Sequence, residues 1–172
     1  MKINHIEITS ATTIDVEFSP TSPICALHGR YSDLALGLIS ELVSGSGTGN
    51  DPDRVDDGRF VIHADIEMDE KNYSVCYIRN ADFMGDNRLA VNFEPNGIGF
   101  SEDDTREFVE KCDKDGNSPI FICDYFDRLD EAEDITYILD QLSAFRSQVF
   151  ISVCANYPIE KMKHSSVQVV EM

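Results

Sequence analysis

Residues 24–43 read ICALHGRYSDLALGLISELV, and the architecture depends on what stands in their middle. The opening ICALH is a continuous β-prone apolar run, the pattern of a strand covered on both faces. Gly29 ends it. After a short polar stretch, Leu34, Leu38, Ile39, Leu42 and Val43 recur at helical spacing. Ser32 is placed as the N-cap of that helix, and Asp33 falls in its first turn, where the helix dipole favours a carboxylate. A strand, a glycine turn and a helix N-terminus form the place where nucleotide-binding proteins hold phosphate. Yet no lysine follows the glycine. The stretch is a phosphate loop, the remnant of one, or an ordinary turn.

The flanking sequence supplies the rest of an α/β chain. KINHIEI and TIDVEFS alternate apolar and polar residues and predict two half-exposed strands joined near residues 9–12. SGSGTGNDPDRVDDG, residues 44–58, is rich in glycine, but no helix pattern and no lysine follow it, so it reads as a flexible loop. RFVIHADIEM and NYSVCYIRN alternate around residues 69–71 and predict a hairpin. RLAVNFEPNGIGF predicts another, turning at residues 95–97. Ser101 opens a helix with an acidic first turn and with Phe108 and Val109 on its apolar side. PIFICDYF and QVFISVCA read as buried strands separated by a helix that Ile135, Ile138, Leu139 and Leu142 mark, and SSVQVVEM adds a last short strand. Buried strands alternating with helices imply a mostly parallel sheet with crossover helices, and the hairpins imply an attached antiparallel subdomain. One domain is expected over residues 1–172.

Charge and cysteine usage narrow the classes of function. Lys and Arg total 14 against 32 Asp and Glu, a formal charge of −18. A surface this acidic is unsuited to a nucleic-acid backbone, which needs clustered cations. It suits a basic partner, or mimicry of a nucleic acid, or simple solvation. Cys25, Cys76, Cys112, Cys123 and Cys154 are scattered with no CxxC pair, which argues against a disulfide framework or a zinc site and fits a reducing compartment. The N-terminus lacks the apolar core of a signal peptide, and no run reaches the roughly 18 apolar residues of a membrane span. A cytoplasmic location is expected.

The second half of the chain carries a family pattern. SPIFICDYFDRLDEAEDITYILDQLSAFRSQVFIS resembles the Walker B strand, D-loop and following strand of ABC-type ATPases, in particular the SMC and RecF-like group. PIFIC stands for the apolar strand, Leu129 with Asp130 for the Leu-Asp pair, and QVFIS for the later strand. MKINHIEITSATTIDVEFSPTSPICALHG is similar to the family's N-terminal strand pair leading to its P-loop strand, and FSEDDTREFVEKC stands where its signature helix lies. The resemblance covers about residues 1–43 and 100–155, with four motifs in order. It implies a P-loop-NTPase-like α/β fold, a reduced form of an ABC or SMC head.

The same alignment implies that the catalytic residues are gone. Counting the P-loop pattern GxxxxGK from Gly29 through Arg30, Ser32 and Asp33, Leu34 replaces the second glycine, Ala35 the lysine and Leu36 the hydroxyl residue. Leu34 restricts the backbone that wraps phosphate, Ala35 removes its cation, and Leu36 removes a Mg²⁺ ligand. Spacing back from Asp130 puts Cys123 at the metal-side aspartate and Asp124 at the catalytic carboxylate. One residue later, Asp124 is the metal-side residue and Tyr125 the catalytic one. Either register leaves one acid of two. The LSGGQ signature is FSEDD here, and the switch histidine near QVFISVCANYP is missing. The vestigial nucleotide site is therefore Gly29, Arg30, Ser32, Asp33, Ala35, Cys123, Asp124 and Asp130, without hydrolysis and without a required cofactor.

Other constellations read as structure. Asp113, Asp115 and Asn117 have the 1-3-5 spacing of a calcium loop, but Ser118 stands where its glycine belongs, so a helix-to-strand turn is expected. His28 is expected to be structural. Cys123, ending an apolar strand, is expected to be an inert core thiol. The function expected is a pseudo-ATPase domain serving as a protein-interaction or regulatory module, with a homodimer or a partner protein. The alternatives are a residual ATP-binding protein completed by a partner ATPase, and an acidic inhibitor that mimics DNA.

Overall fold

The computed structural model describes residues 1–10, 14–44, 59–80, 88–94, 102–112, 114, 116–123, 126–129 and 132–172. In chain order these form β1 (Lys2–Ser10), β2 (Asp15–Phe18), β3 (Ile24–His28), α1 (Ser32–Val43), β4 (Arg59–Met68), β5 (Lys71–Asn80) and β6 (Arg88–Glu94). Then follow α2 (Glu102–Cys112), β7 (Ile120–Ile122), α3 (Ala132–Ser143), β8 (Val149–Val153) and β9 (Val167–Glu171). The chain divides into two compact units: Met1–Ser19 with Leu38–Gly116, and Pro20–Gly37 with Asn117–Met172. The predicted turn at residues 95–97, the loop at 45–58 and the helix start at Ser101 lie outside the described residues.

The second unit is built on a parallel sheet of order β7-β8-β3-β9. Its core joins Ile24, Ala26, Val149, Ile151 and Val153 of the strands to Ile135 and Leu139 of α3. Cys25, Leu27 and Phe150 point to the opposite face and are buried too, which is why β3 and β8 read as unbroken apolar runs. Phe121 stacks on Phe150 there, with ring centroids 5.6 Å apart. Burial pushes the Cys25 thiol up to about 12, so it is chemically quiet. The three residues of β7 are only half-buried, less than the sequence PIFIC suggests, because β7 is the edge strand.

The first unit carries an antiparallel sheet of order β2-β1-β4-β5-β6. Asp69 and Glu70 close the β4–β5 hairpin with φ of 52° and 63°, the left-handed pair whose twist matches the two strands. Ile3, Ile6 and Ile8 of β1 align with Ile66, Ala64 and Ile62 of β4 to make the buried face. Helix side chains lock onto that face. The Tyr77 hydroxyl donates to Glu41 of α1 at 2.8 Å, and the Val91 amide donates to the Thr105 hydroxyl of α2 at 3.1 Å. Burial, reinforced by the Glu41 carboxylate, holds the Tyr77 phenol well above its usual value.

α2 is pinned by charge as well as packing. Phe108 meets the Tyr73 ring edge-on at 5.6 Å. Lys71 and Lys111 converge on Glu107 at 2.9 and 3.0 Å, and Lys111 also donates to the Tyr73 hydroxyl at 2.9 Å. Hydrogen bonds from Lys71 and then Lys111 hold the Glu107 carboxyl down at about 2. Two of the chain's few cations thus serve to attach a helix.

Candidate functional site

Because β7, β8, β3 and β9 run parallel, their C-terminal ends share one edge of the sheet. That edge is where open α/β sheets take ligands. At its centre, β3 ends at His28 and α1 begins at Ser32, which leaves residues 29–31 as the whole turn. Gly29 has φ 145°, a conformation side chains disfavour. A Cβ at Gly29 would stand 2.4 Å from the Met172 carbonyl oxygen. The Gly29 amide donates to the Val153 carbonyl at 3.1 Å, and the Met172 amide donates to the His28 carbonyl at 2.8 Å. The glycine is needed for close passage of the protein's own backbone, and its amide is committed to the end of β8.

The side chains of the turn follow the same logic. Ser32 is 2% exposed, and its hydroxyl donates to the Gly29 carbonyl at 3.0 Å. The expectation of Ser32 as an accepting N-cap is therefore corrected. The Ala35 amide bonds the Tyr31 carbonyl at 2.9 Å, so the helix starts a residue earlier and the hydroxyl ties the turn shut. Ala35 is 0% exposed and Leu36 3%. Both positions point into packed interior. Arg30 is exposed and lays its guanidinium over the Tyr31 ring, 5.4 Å from the centroid.

Of the remaining predicted residues, the structure brings Cys123 to Asp33. Cys123 stands one residue past β7 and is exposed, with its thiol donating to the Asp33 carboxylate at 3.4 Å. This corrects the expectation of an inert core position, because β7 stops at Ile122 and releases the next residue to the surface. The two cysteines that are buried are Cys25 and Cys76, the latter pushed up to about 11 by burial. Asp124 and Asp130 lie outside the described residues, as do Asp113 and Asp115 of the acidic turn. His28 bonds through both ring nitrogens. Nδ1 meets Glu171 at 2.8 Å and Nε2 meets the Tyr157 carbonyl at 3.3 Å, which links β3 to β9 and to the turn after β8.

What sequence reading missed is the part of Met172 and Val153 in closing the turn. Both act through backbone atoms, so no residue type announces them. Among the described residues, no group of three or more His, Cys, Asp or Glu could hold a metal ion. No helix among them is long and apolar enough to cross a membrane.

Fold and site together define a mixed α/β protein with one parallel and one antiparallel sheet and a closed turn at the C-terminal edge of the parallel strands. No family model matches the chain, and no curated protein matches it. A solved structure of the recombination mediator protein RecF with ATPrS, from the RecFOR pathway, aligns over 80% of this chain with a TM-score of 0.40 and 10% sequence identity. The chain spans about a third of that protein's length, 34%. A likeness at this level bears on neither ligand nor activity.

Proposed function

We propose that this chain is a non-catalytic pseudo-ATPase domain, a reduced P-loop-NTPase-like head that acts as a protein-interaction or regulatory module. The observation that carries the reading is the closed β3–α1 turn. Three residues span it, Gly29 lies between the Val153 carbonyl and Met172, and the lysine and hydroxyl positions are the buried Ala35 and Leu36. Phosphoryl transfer needs positioned cations and a metal ligand at those places. The likeness of the motif order to ABC and SMC heads supports pairing through this edge, with a second copy or with a partner ATPase.

Carboxylates occur on the sheet of the first unit, on α2, on α3 and on β9 rather than along one element. That spread favours an interaction module over a DNA mimic. Calorimetry with ATP and Mg²⁺ tests the reading. The expected result is no saturable heat, and saturable binding lost in Arg30→Ala would replace it with the residual ATP-binding protein.

A further inference from the structure

His28 ends β3 at the edge where the β3–α1 turn begins, and its ring faces two acceptors. Nδ1 lies 2.8 Å from the Glu171 carboxylate, and Nε2 lies 3.3 Å from the Tyr157 carbonyl. A neutral imidazole carries one N–H and satisfies one acceptor, whereas the protonated ring donates to both. The His28 side chain is only 13% exposed, so water is poorly placed to replace a bond that is lost. His164, just before the same strand β9, is built the other way. Its Nδ1 accepts the Ser166 amide at 3.2 Å while Nε2 meets Asp140 at 3.1 Å, so a single N–H completes both contacts. The two rings, at opposite ends of β9, complete their bonds with different numbers of hydrogens.

We propose that His28 is a proton-dependent latch that holds the end of β9 against the β3–α1 turn. Among the described strands, β9 pairs with β3 alone. Its end closes the turn, because the Met172 amide donates to the His28 carbonyl at 2.8 Å and the Met172 carbonyl oxygen occupies the space beside Gly29. The Glu171 bond fastens the residue before Met172 to β3, and the Tyr157 bond fastens the same ring to the segment after β8. With the ring protonated both bonds form, and the one to Glu171 joins opposite charges. When the proton leaves, one donor is gone, the ring releases one of its two partners, and the residue that closes the turn is held less firmly. Glu171 is the charged group that meets the ring from β9. Tyr157 meets it from beyond β8, with Lys161 over the Tyr157 ring at 5.6 Å, and Arg30, two residues on in the chain, lies over Tyr31. β8 itself brings the apolar Val153 beside His28. Histidine is the side chain that ordinarily changes charge near neutral pH, which suits it to such a device. The latch rests on the hydrogen count of one ring and is independent of the nucleotide reading proposed above.

The test is nitrogen magnetic resonance of the isotopically labelled protein between about pH 5 and pH 9, the range in which histidine ordinarily titrates. Ring nitrogen shifts count the hydrogens on His28. Hydrogen exchange, corrected for its intrinsic pH dependence, reads the Met172 amide and, as a reference, that of Ile151 in the inner strand β8. The expected result is two N–H groups on His28 at the acid end. Protection of Met172 should then fall about threefold or more as that ring gives up its proton, the worth of one hydrogen bond, while Ile151 stays constant. His28→Gln should abolish the pH dependence and leave Met172 weakly protected throughout. Glu171→Gln should shrink the change, because a neutral amide is a weaker acceptor than a carboxylate, and it decides the matter if His28→Gln does not fold. A single N–H on His28 across the whole range would overturn the latch. So would Met172 protection that ignores pH or follows the titration of His164, an equal change at Ile151, or an unaltered change in Glu171→Gln. Saturable ATP binding would leave the hydrogen count of His28 untouched, and a pH-independent Met172 would leave the nucleotide calorimetry untouched, so the two readings fail separately.

Discussion

The β3–α1 turn and the outer face of the antiparallel sheet treat polar chemistry in opposite ways. At the turn, Ala35 and Leu36, which the proposed reading sets in place of a cation and a metal ligand, are buried, and the buried hydroxyl of Ser32 serves the turn itself. On the sheet, Glu7 stands opposite Glu17, whose carboxylate meets His5 Nε2 at 3.5 Å, and Asp65 accepts from the Ser74 hydroxyl at 2.9 Å, so polar groups there pair with one another at the surface. Packing sets the residues of the turn, and pairing between polar side chains sets the surface rows of the sheet.

A lysine at position 35 is the strongest test of that contrast. Ala35→Lys places an ammonium at a site with no exposure, and we expect a loss on the order of 3 kcal/mol in urea unfolding with no gain of nucleotide binding. Gly29→Ala comes next. Its Cβ meets the Met172 carbonyl at 2.4 Å and its φ is 145°, so a loss of about 2 kcal/mol is expected in the same measurement. A variant that melted like the parent would show that the turn is looser than its hydrogen bonds imply.

Glu107→Gln probes the charged attachment of α2 and should cost about 1 kcal/mol at pH 7, a modest figure because the group is half-exposed. Its carboxyl is held at about 2 in the fold, below the ordinary 4.5, by the hydrogen bonds from Lys71 and Lys111. The carboxylate therefore stabilises the fold fully above pH 4.5, and that contribution is lost as pH falls toward 2. Unfolding of parent and variant at pH 7 and near pH 2 should show the gap close in acid. The smallest effect belongs to Asp65→Asn, which should change stability by no more than about 0.5 kcal/mol in urea unfolding, because its bond with the Ser74 hydroxyl lies at the surface. A larger loss would mean that the Asp65–Ser74 bond helps to hold β4 against β5.

Much of the fold was legible in the sequence. ICALH, PIFIC and QVFIS read as parallel strands because strands covered on both faces need unbroken apolar runs, and the alternation in RFVIHADIEM and NYSVCYIRN gave the hairpin its faces. The site was legible only in part. Ser32 was placed at the helix start, but whether its hydroxyl accepts or donates depends on where the Gly29 carbonyl points. Cys123 was misread because the apolar run continues past the point where pairing with β8 stops. The closure of the turn by Met172, and the meeting of Glu7 with Glu17, depend on register between distant segments, which local pattern does not encode.

The central claim is that the β3–α1 turn is closed to nucleotide. The direct measurement is an amide-shift titration of the labelled protein with ATP and Mg²⁺, read at Gly29, Arg30, Tyr31 and Ser32. These four amides are expected not to move. Saturable shifts at Gly29 and Ser32, with the Gly29 amide leaving the Val153 carbonyl, would contradict it.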